Sequence, residues 1–215
     1  MKIAIVDYGM GNLHSVLKST QAAQQRAGVP ADIALTDNPD IVYQADKVIF
    51  PGQGAMPDCM AALQKSGLGE AVADGLKNKP FFGICVGAQL LFDVSEEGNT
   101  AGLGWFSGSV KRFAAGLKDA QGDKLKVPHM GWNQVHQRDP SHPMWNNIEQ
   151  DARFYFVHSF YVEPQDEKIV AATCDYALTF CTALHQDNLF ATQFHPEKSH
   201  TVGLQLLKNF VEWNI

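Results

Sequence analysis

The 215-residue chain has four cysteines, Cys59, Cys85, Cys174 and Cys181, and no two of them are spaced as CxxC. That scatter argues against a disulfide framework and against a structural zinc site. Its eight histidines form no HxxxH or HExxH array, so no protein-built metal site is expected. Long apolar runs are missing too. MKIAIVDYGMGN holds only a short apolar stretch before Asp7, too little for a signal peptide or a membrane span. There is no excess of positive charge. The net charge of −6 leaves no footprint for nucleic acid or an anionic membrane surface. No repeat, low-complexity tract or linker interrupts the sequence. These absences leave a cytoplasmic protein of one domain, residues 1–215, with no metal and no cofactor implied.

What is present is an ordinary apolar fraction of 45%, enough for a sizeable core without staples. KIAIVDY (2–8) reads as a buried strand closed by GMGN. Asn12 is placed to cap a helix that runs to Ala27, with Gly28 beyond its end. ADIALTD (31–37), KVIFPG (47–52) and PFFGIC (80–85) read as further strands. Residues 57–78 read as one or two helices interrupted near Gly67, and 86–93 as a helix following the strand that ends at Cys85. Nearly all-apolar strands alternating with helices predict a parallel sheet covered on both faces. Beyond residue 104 the pattern turns to strands and hairpins, until a last amphipathic helix carrying Val202, Leu206, Leu207 and Phe210. The whole is a mixed α/β chain.

Gly83-Ile84-Cys85-Val86-Gly87 matches a nucleophile elbow with cysteine in place of serine. Glycines two residues either side of the nucleophile remove side chains where strand and helix converge. A thiol at a helix start is favoured as thiolate by the helix dipole. The alternative is a core cysteine beside a tightly packed turn. A base and its orienting partner are offered by TQFHPEKS: an extended segment would project His195 and Glu197 to one side, with Pro196 disfavouring helix at His195. PGQG (51–54), at the end of a parallel strand, can present backbone N–H groups to an oxyanion, with Val86 N–H as the second donor.

PGQG, GICVGAQLLF and QFHPEKS, in that order, resemble the class I glutamine amidotransferases over the whole chain. DYGMGNLHS, SEEG, PHMGWN, YFVHSF and Lys198 are similar to the histidine-biosynthetic branch of that family, the glutaminase subunits of imidazole glycerol phosphate synthases. The resemblance implies a three-layer α/β fold: a central, mostly parallel sheet with helices on both faces and additional antiparallel strands. It implies a triad of Cys85, His195 and Glu197, and an oxyanion hole at Gly52, Gln53 and Val86. Gln89, Glu97 and the Ser159-Phe160 backbone would bind L-glutamine. The implied partner is a cyclase subunit with a (β/α)8 barrel, joined in a heterodimer and contacted by Asn12, Met130, Trp132 and Lys198. Met130 and Trp132 also fit plain core positions. Gln53 stands where the family also has small or branched apolar residues. If its peptide turned the carbonyl toward the site, the glutaminase would idle until the partner bound. Two other readings remain: a glutaminase serving another synthase, and a catalytically silent α/β binding module.

Overall fold

The computed structural model describes residues 1–119 and 121–215. The chain order is β1 (Lys2–Val6), α1 (Leu13–Ala27), β2 (Asp32–Thr36), α2 (Pro39–Gln44), β3 (Lys47–Gly52), α3 (Met56–Ser66), α4 (Gly69–Asn78), β4 (Phe81–Cys85) and α5 (Val86–Gln89). It continues with β5 (Phe92–Ser95), β6 (Thr100–Ala101), β7 (Phe106–Arg112), β8 (His129–Gln134), β9 (His136–Gln137), β10 (Arg153–His158) and β11 (Phe160–Pro164). The last elements are β12 (Val170–Asp175), β13 (Thr179–Gln186), β14 (Leu189–Thr192) and α6 (His200–Glu212).

The large sheet runs β2-β1-β3-β4-β14-β13-β11-β7-β5-β6, with β12 and β9 joining beside β13. Its first five strands are parallel. β3, β4 and β14 are buried along their full length, the mark of a sheet covered on both faces. α6 packs beside α1, and α2 beside α4; with the strand order β2-β1-β3-β4, the right-handed rule for parallel crossovers assigns these two helix pairs to opposite faces. Phenylalanines fill the layers: the Phe82 ring lies 5.3 Å from Phe210 of α6, and Phe50 lies 5.8 Å from Phe81. From β14 through β13 and β11 to β7 the pairing is antiparallel, β5 then joins β7 in parallel, and β8 and β10 form a separate antiparallel ribbon.

Three local expectations are corrected. The helix expected over 86–93 stops after one turn at Gln89, and Phe92 begins a strand. Leu90 N–H still donates to Val86 O at 2.8 Å, but Leu91 N–H turns to Ala88 O at 3.3 Å. The chain then pairs across: Leu90 O accepts Leu103 N–H at 2.8 Å, and Leu91 O accepts Trp105 and Phe106 N–H at 2.8 and 2.9 Å. Asn12 does hold the N-cap position of α1, but its side chain makes no capping hydrogen bond. Glu197 is not on an extended strand: β14 ends at Thr192, and Pro196 opens a 3-10 turn over Pro196–Lys198. Proline suits that first helical position because it has no N–H to lose there.

Candidate active site

Three neighbouring parallel strands end at one edge. Gly52 at the end of β3 pairs in register with Cys85 at the end of β4, and Ile84 pairs with Thr192 of β14, three residues before His195. The carboxyl edge of an open α/β sheet is where ligands bind, close to the point at which strand order reverses, here between β1 and β3.

Cys85 itself has φ 55° and ψ −112°, a strained conformation for a side-chain-bearing residue, between β4 and the first residue of α5. Packing forces the turn. A Cβ on Gly87 would lie 2.0 Å from Phe50 O, and one on Gly52 would lie 2.6 Å from Gly87 N and 2.7 Å from Tyr8 Oη. Only bare backbone lets α5 sit against β3. With one turn rather than two, α5 offers Cys85 less axial dipole than expected. Its contribution is the N–H groups of its first turn, which have no intrahelical acceptor.

His195 and Glu197 are both buried, and His195 Nδ1 lies 2.8 Å from Glu197 Oε1. The carboxylate only accepts, so Nδ1 carries the proton and the ring orientation is fixed. Nε2 is buried with no hydrogen-bond partner. Burial by itself would pull the imidazole down, but the Cys85 sulfur and the Glu197 carboxylate more than offset it and raise it to about 10.

Cys85 and His195 line one cavity of about 320 Å³ together with Gln53, Val86, Gln89, Glu97, Ser159 and Phe160. Eight of the residues expected in the site are thus brought to one space. Glu197 stands behind His195, and Gly52 lies under the cavity against Gly87 and Tyr8. Gln89 is buried and donates to Phe160 O and to Gln193 Oε1, both at 3.1 Å. Glu97 accepts Met56 N–H at 2.8 Å, which ties the loop after β5 to the start of α3. The Gln53 carbonyl accepts the Cys59 thiol at 3.5 Å, on the α3 side of the loop.

Of the four residues expected at a partner surface, Met130 and Trp132 lie on β8 and are 61% and 40% exposed, which sets aside the core reading. The Trp132 ring stacks on His200 at 5.2 Å, with the planes 4° apart. Lys198 belongs to the 3-10 turn, which packs against α1 just beyond the exposed Asn12.

Sequence reasoning missed two buried groups. His129 Nδ1 and His158 Nε2 lie 3.0 Å apart, and His158 lines the cavity. Burial lowers His129 to about 4 and His158 to about 3, so both are neutral at pH 7. The other is Gln193, whose Nε2 lies 3.8 Å from Cys85 Sγ. The β8–β10 register, which pairs His158 with His129, unites the first group; nothing local announces it. Cys174 and Cys181 are buried on β12 and β13, as small apolar fillers would be. Among the described residues no helix is long and apolar enough to cross a membrane.

The family model for glutamine amidotransferase class-I matches residues 4–213. The chain is 63% identical over 213 residues to the imidazole glycerol phosphate synthase subunit HisH of Neisseria meningitidis serogroup B, covering 99% of this chain and 100% of that one. It is 59% identical over 215 residues to the subunit of the same name from Acinetobacter baylyi, covering 100% of this chain and 99% of that one. Solved structures share the fold at low identity. A putative GMP synthase subunit from Thermoplasma acidophilum aligns at TM-score 0.68 with 21% identity, covering 99% of this chain and 92% of that one. The glutaminase domain of Trypanosoma brucei CTPS aligns at TM-score 0.65 with 18% identity, covering 100% and 95%.

Proposed function

The chain belongs to the class I glutamine amidotransferases, and from that premise we infer that it is the glutaminase subunit of an imidazole glycerol phosphate synthase. It hydrolyses L-glutamine to glutamate and supplies the ammonia to a cyclase subunit for histidine biosynthesis. The observation that carries the catalytic assignment is the meeting of Cys85 and His195 at one cavity, with Glu197 on the far ring nitrogen.

The Cys85 thiolate attacks the side-chain carboxamide carbon of glutamine, and the carbonyl oxygen takes the negative charge. Backbone N–H groups at Gln53 and Val86 hold that oxyanion, a stabilisation of about 3–4 kcal/mol per donor in comparable sites. The His195 Nε2 proton passes to the departing nitrogen, and ammonia leaves as the thioester carbonyl re-forms. His195, now neutral, takes a proton from water; the hydroxide equivalent attacks the thioester and the thiolate departs with glutamate released. Glu197 stabilises the imidazolium in each half-reaction and holds its tautomer. Gln89, Glu97 and the Ser159-Phe160 backbone fix the amino-acid end of the substrate.

Ammonia that meets bulk water becomes ammonium and loses its nucleophilic lone pair, so the product needs a closed route to the cyclase. The partner is a (β/α)8 barrel, paired with this chain as a heterodimer in the cytoplasm. Its docking surface includes Asn12, Met130, Trp132 and Lys198. Exposure of a methionine and a tryptophan on one strand supports that surface, since such side chains are enriched at interface centres.

The test compares nitrogen sources in the assembled complex. Cys85→Ala should abolish glutamine-dependent synthesis and leave ammonia-dependent synthesis intact. Loss of both in a folded complex would contradict this division of labour.

A further inference from the structure

The roles above leave one buried side chain touching the reacting sulfur unassigned. Gln193 lies between β14 and His195, its backbone N–H donating to Thr182 O at 2.8 Å, and its side chain is excluded from solvent. It does not line the substrate cavity; it stands behind the sulfur, with Nε2 3.8 Å from Cys85 Sγ.

The direction of that contact is fixed by hydrogen-bond logic. A backbone carbonyl can only accept, so the nitrogen of the Gln89 amide must face Phe160 O at 3.1 Å. That same nitrogen lies 3.1 Å from the Gln193 amide, which must therefore turn its oxygen toward Gln89. The Gln193 nitrogen is then left facing Cys85. A flipped Gln193 would set two N–H groups against each other and aim an oxygen lone pair at the sulfur.

The anchoring carbonyl is held from its other side. His158 Nδ1 donates to Phe160 O at 2.7 Å, so His158 Nε2 must accept. His129 Nδ1 donates to it at 3.0 Å, and Asn133 Nδ2 donates to His129 Nε2 at 3.3 Å. Each member of this buried chain has one orientation, and the chain ends on an N–H aimed at sulfur.

We propose that Gln193 is a positioning residue for the glutaminase reaction, a fixed amide donor that holds the Cys85 sulfur as thiolate and aims it at the substrate. A hydrogen bond to an ionised acceptor is worth roughly twice one to a neutral acceptor, so the donor favours thiolate over thiol. The other titratable groups facing the sulfur are His195 after β14, Tyr8 after β1 and Cys59 on α3, with Glu197 acting through His195 and His158 beside it. None of them shares the Gln193 hydrogen bond. The proposal rests on Cys85 being the nucleophile.

The test is iodoacetamide alkylation of Cys85 in the assembled complex across a pH series, for wild type and Gln193→Met, which keeps the volume and removes the donor. In the variant, alkylation at pH 7 should slow by about tenfold and the midpoint of the rate–pH curve should move up. The kcat should fall by a larger factor than the KM for glutamine rises, since the variant also frees Gln89 Nε2 from its Gln193 acceptor. Equal alkylation rates and midpoints in the two proteins would overturn the proposal. If wild-type Cys85 resists alkylation, the glutaminase reading itself fails instead.

Should Gln193→Met not assemble, the wild-type complex still decides. The Gln193 side-chain ¹⁵N resonance should titrate with the Cys85 thiolate and lose that titration in Cys85→Ser. A resonance that does not titrate would overturn the assignment.

Discussion

His195 Nδ1 lies 2.8 Å from Glu197 Oε1, and solvent reaches neither side chain. At that distance, out of water, the carboxylate fixes the tautomer and sustains the charge on the ring. Removing the charge while keeping the shape separates these effects. Glu197→Gln should lower kcat by about 10³-fold or more while the chain still folds. The His195 ring, raised to about 10 in the intact site, should fall in the variant, because burial alone lowers it. The sign for stability follows. In the wild type the contribution of the charged ring is complete below its unfolded value of about 6.5 and is lost as pH rises through about 10. In Glu197→Gln that loss should set in at lower pH. NMR titration of the ring and denaturation across pH measure both.

Gly87 is a second point of leverage. A Cβ there would stand 2.0 Å from Phe50 O, a backbone atom of the central strand that cannot step aside. Gly87→Ala should destabilise the fold by about 2–3 kcal/mol and displace the sulfur from its place at the end of β4. Thermal denaturation checks the first effect, and loss of glutaminase turnover in the folded fraction checks the second.

At the surface, Trp132→Ala should raise the Kd for the cyclase by at least about tenfold, the cost of a buried aromatic anchor. The stability of the chain itself should change by no more than about 0.5 kcal/mol, because the ring is partly exposed and packs chiefly on another exposed side chain, His200. Titration of the two subunits by calorimetry, alongside melting of the variant chain, makes both measurements.

Much of this was legible in the sequence. The nearly all-apolar strands β1, β3 and β4 made most of the parallel part of the sheet legible, because burial on both faces leaves little polar alternation to confuse the pattern; β14, which completes it, lies in the segment that reads as hairpins. Gly83 and Gly87 around Cys85 gave the elbow, since its steric demands are local. The length of the helix after Cys85 was not legible: VGAQLLFDV keeps helical spacing, and the pairing that replaces a further turn, Leu90 and Leu91 with Leu103, Trp105 and Phe106, joins residues about a dozen positions apart. Glu197 reached His195 by a route the sequence does not specify, a 3-10 turn opened by Pro196 in place of an extended strand. Gln193 stood in plain view beside His195, yet its meaning depends on Gln89, which only the β4–β14 pairing brings near. The His129–His158 pair waited on the register of β8 with β10 for the same reason. Local sterics and burial leave traces in one dimension, whereas hydrogen-bond partners recruited across strands do not.

The central claim is that Cys85 carries the glutamyl group. The most direct measurement is intact-mass analysis of the assembled complex, quenched with acid during turnover of L-glutamine, followed by peptide mapping. The account predicts a γ-glutamyl thioester on the peptide bearing Cys85, absent from Cys85→Ala together with glutamate release. Undiminished glutamate release by Cys85→Ala, or an adduct on Cys59, Cys174 or Cys181 in its place, would contradict it.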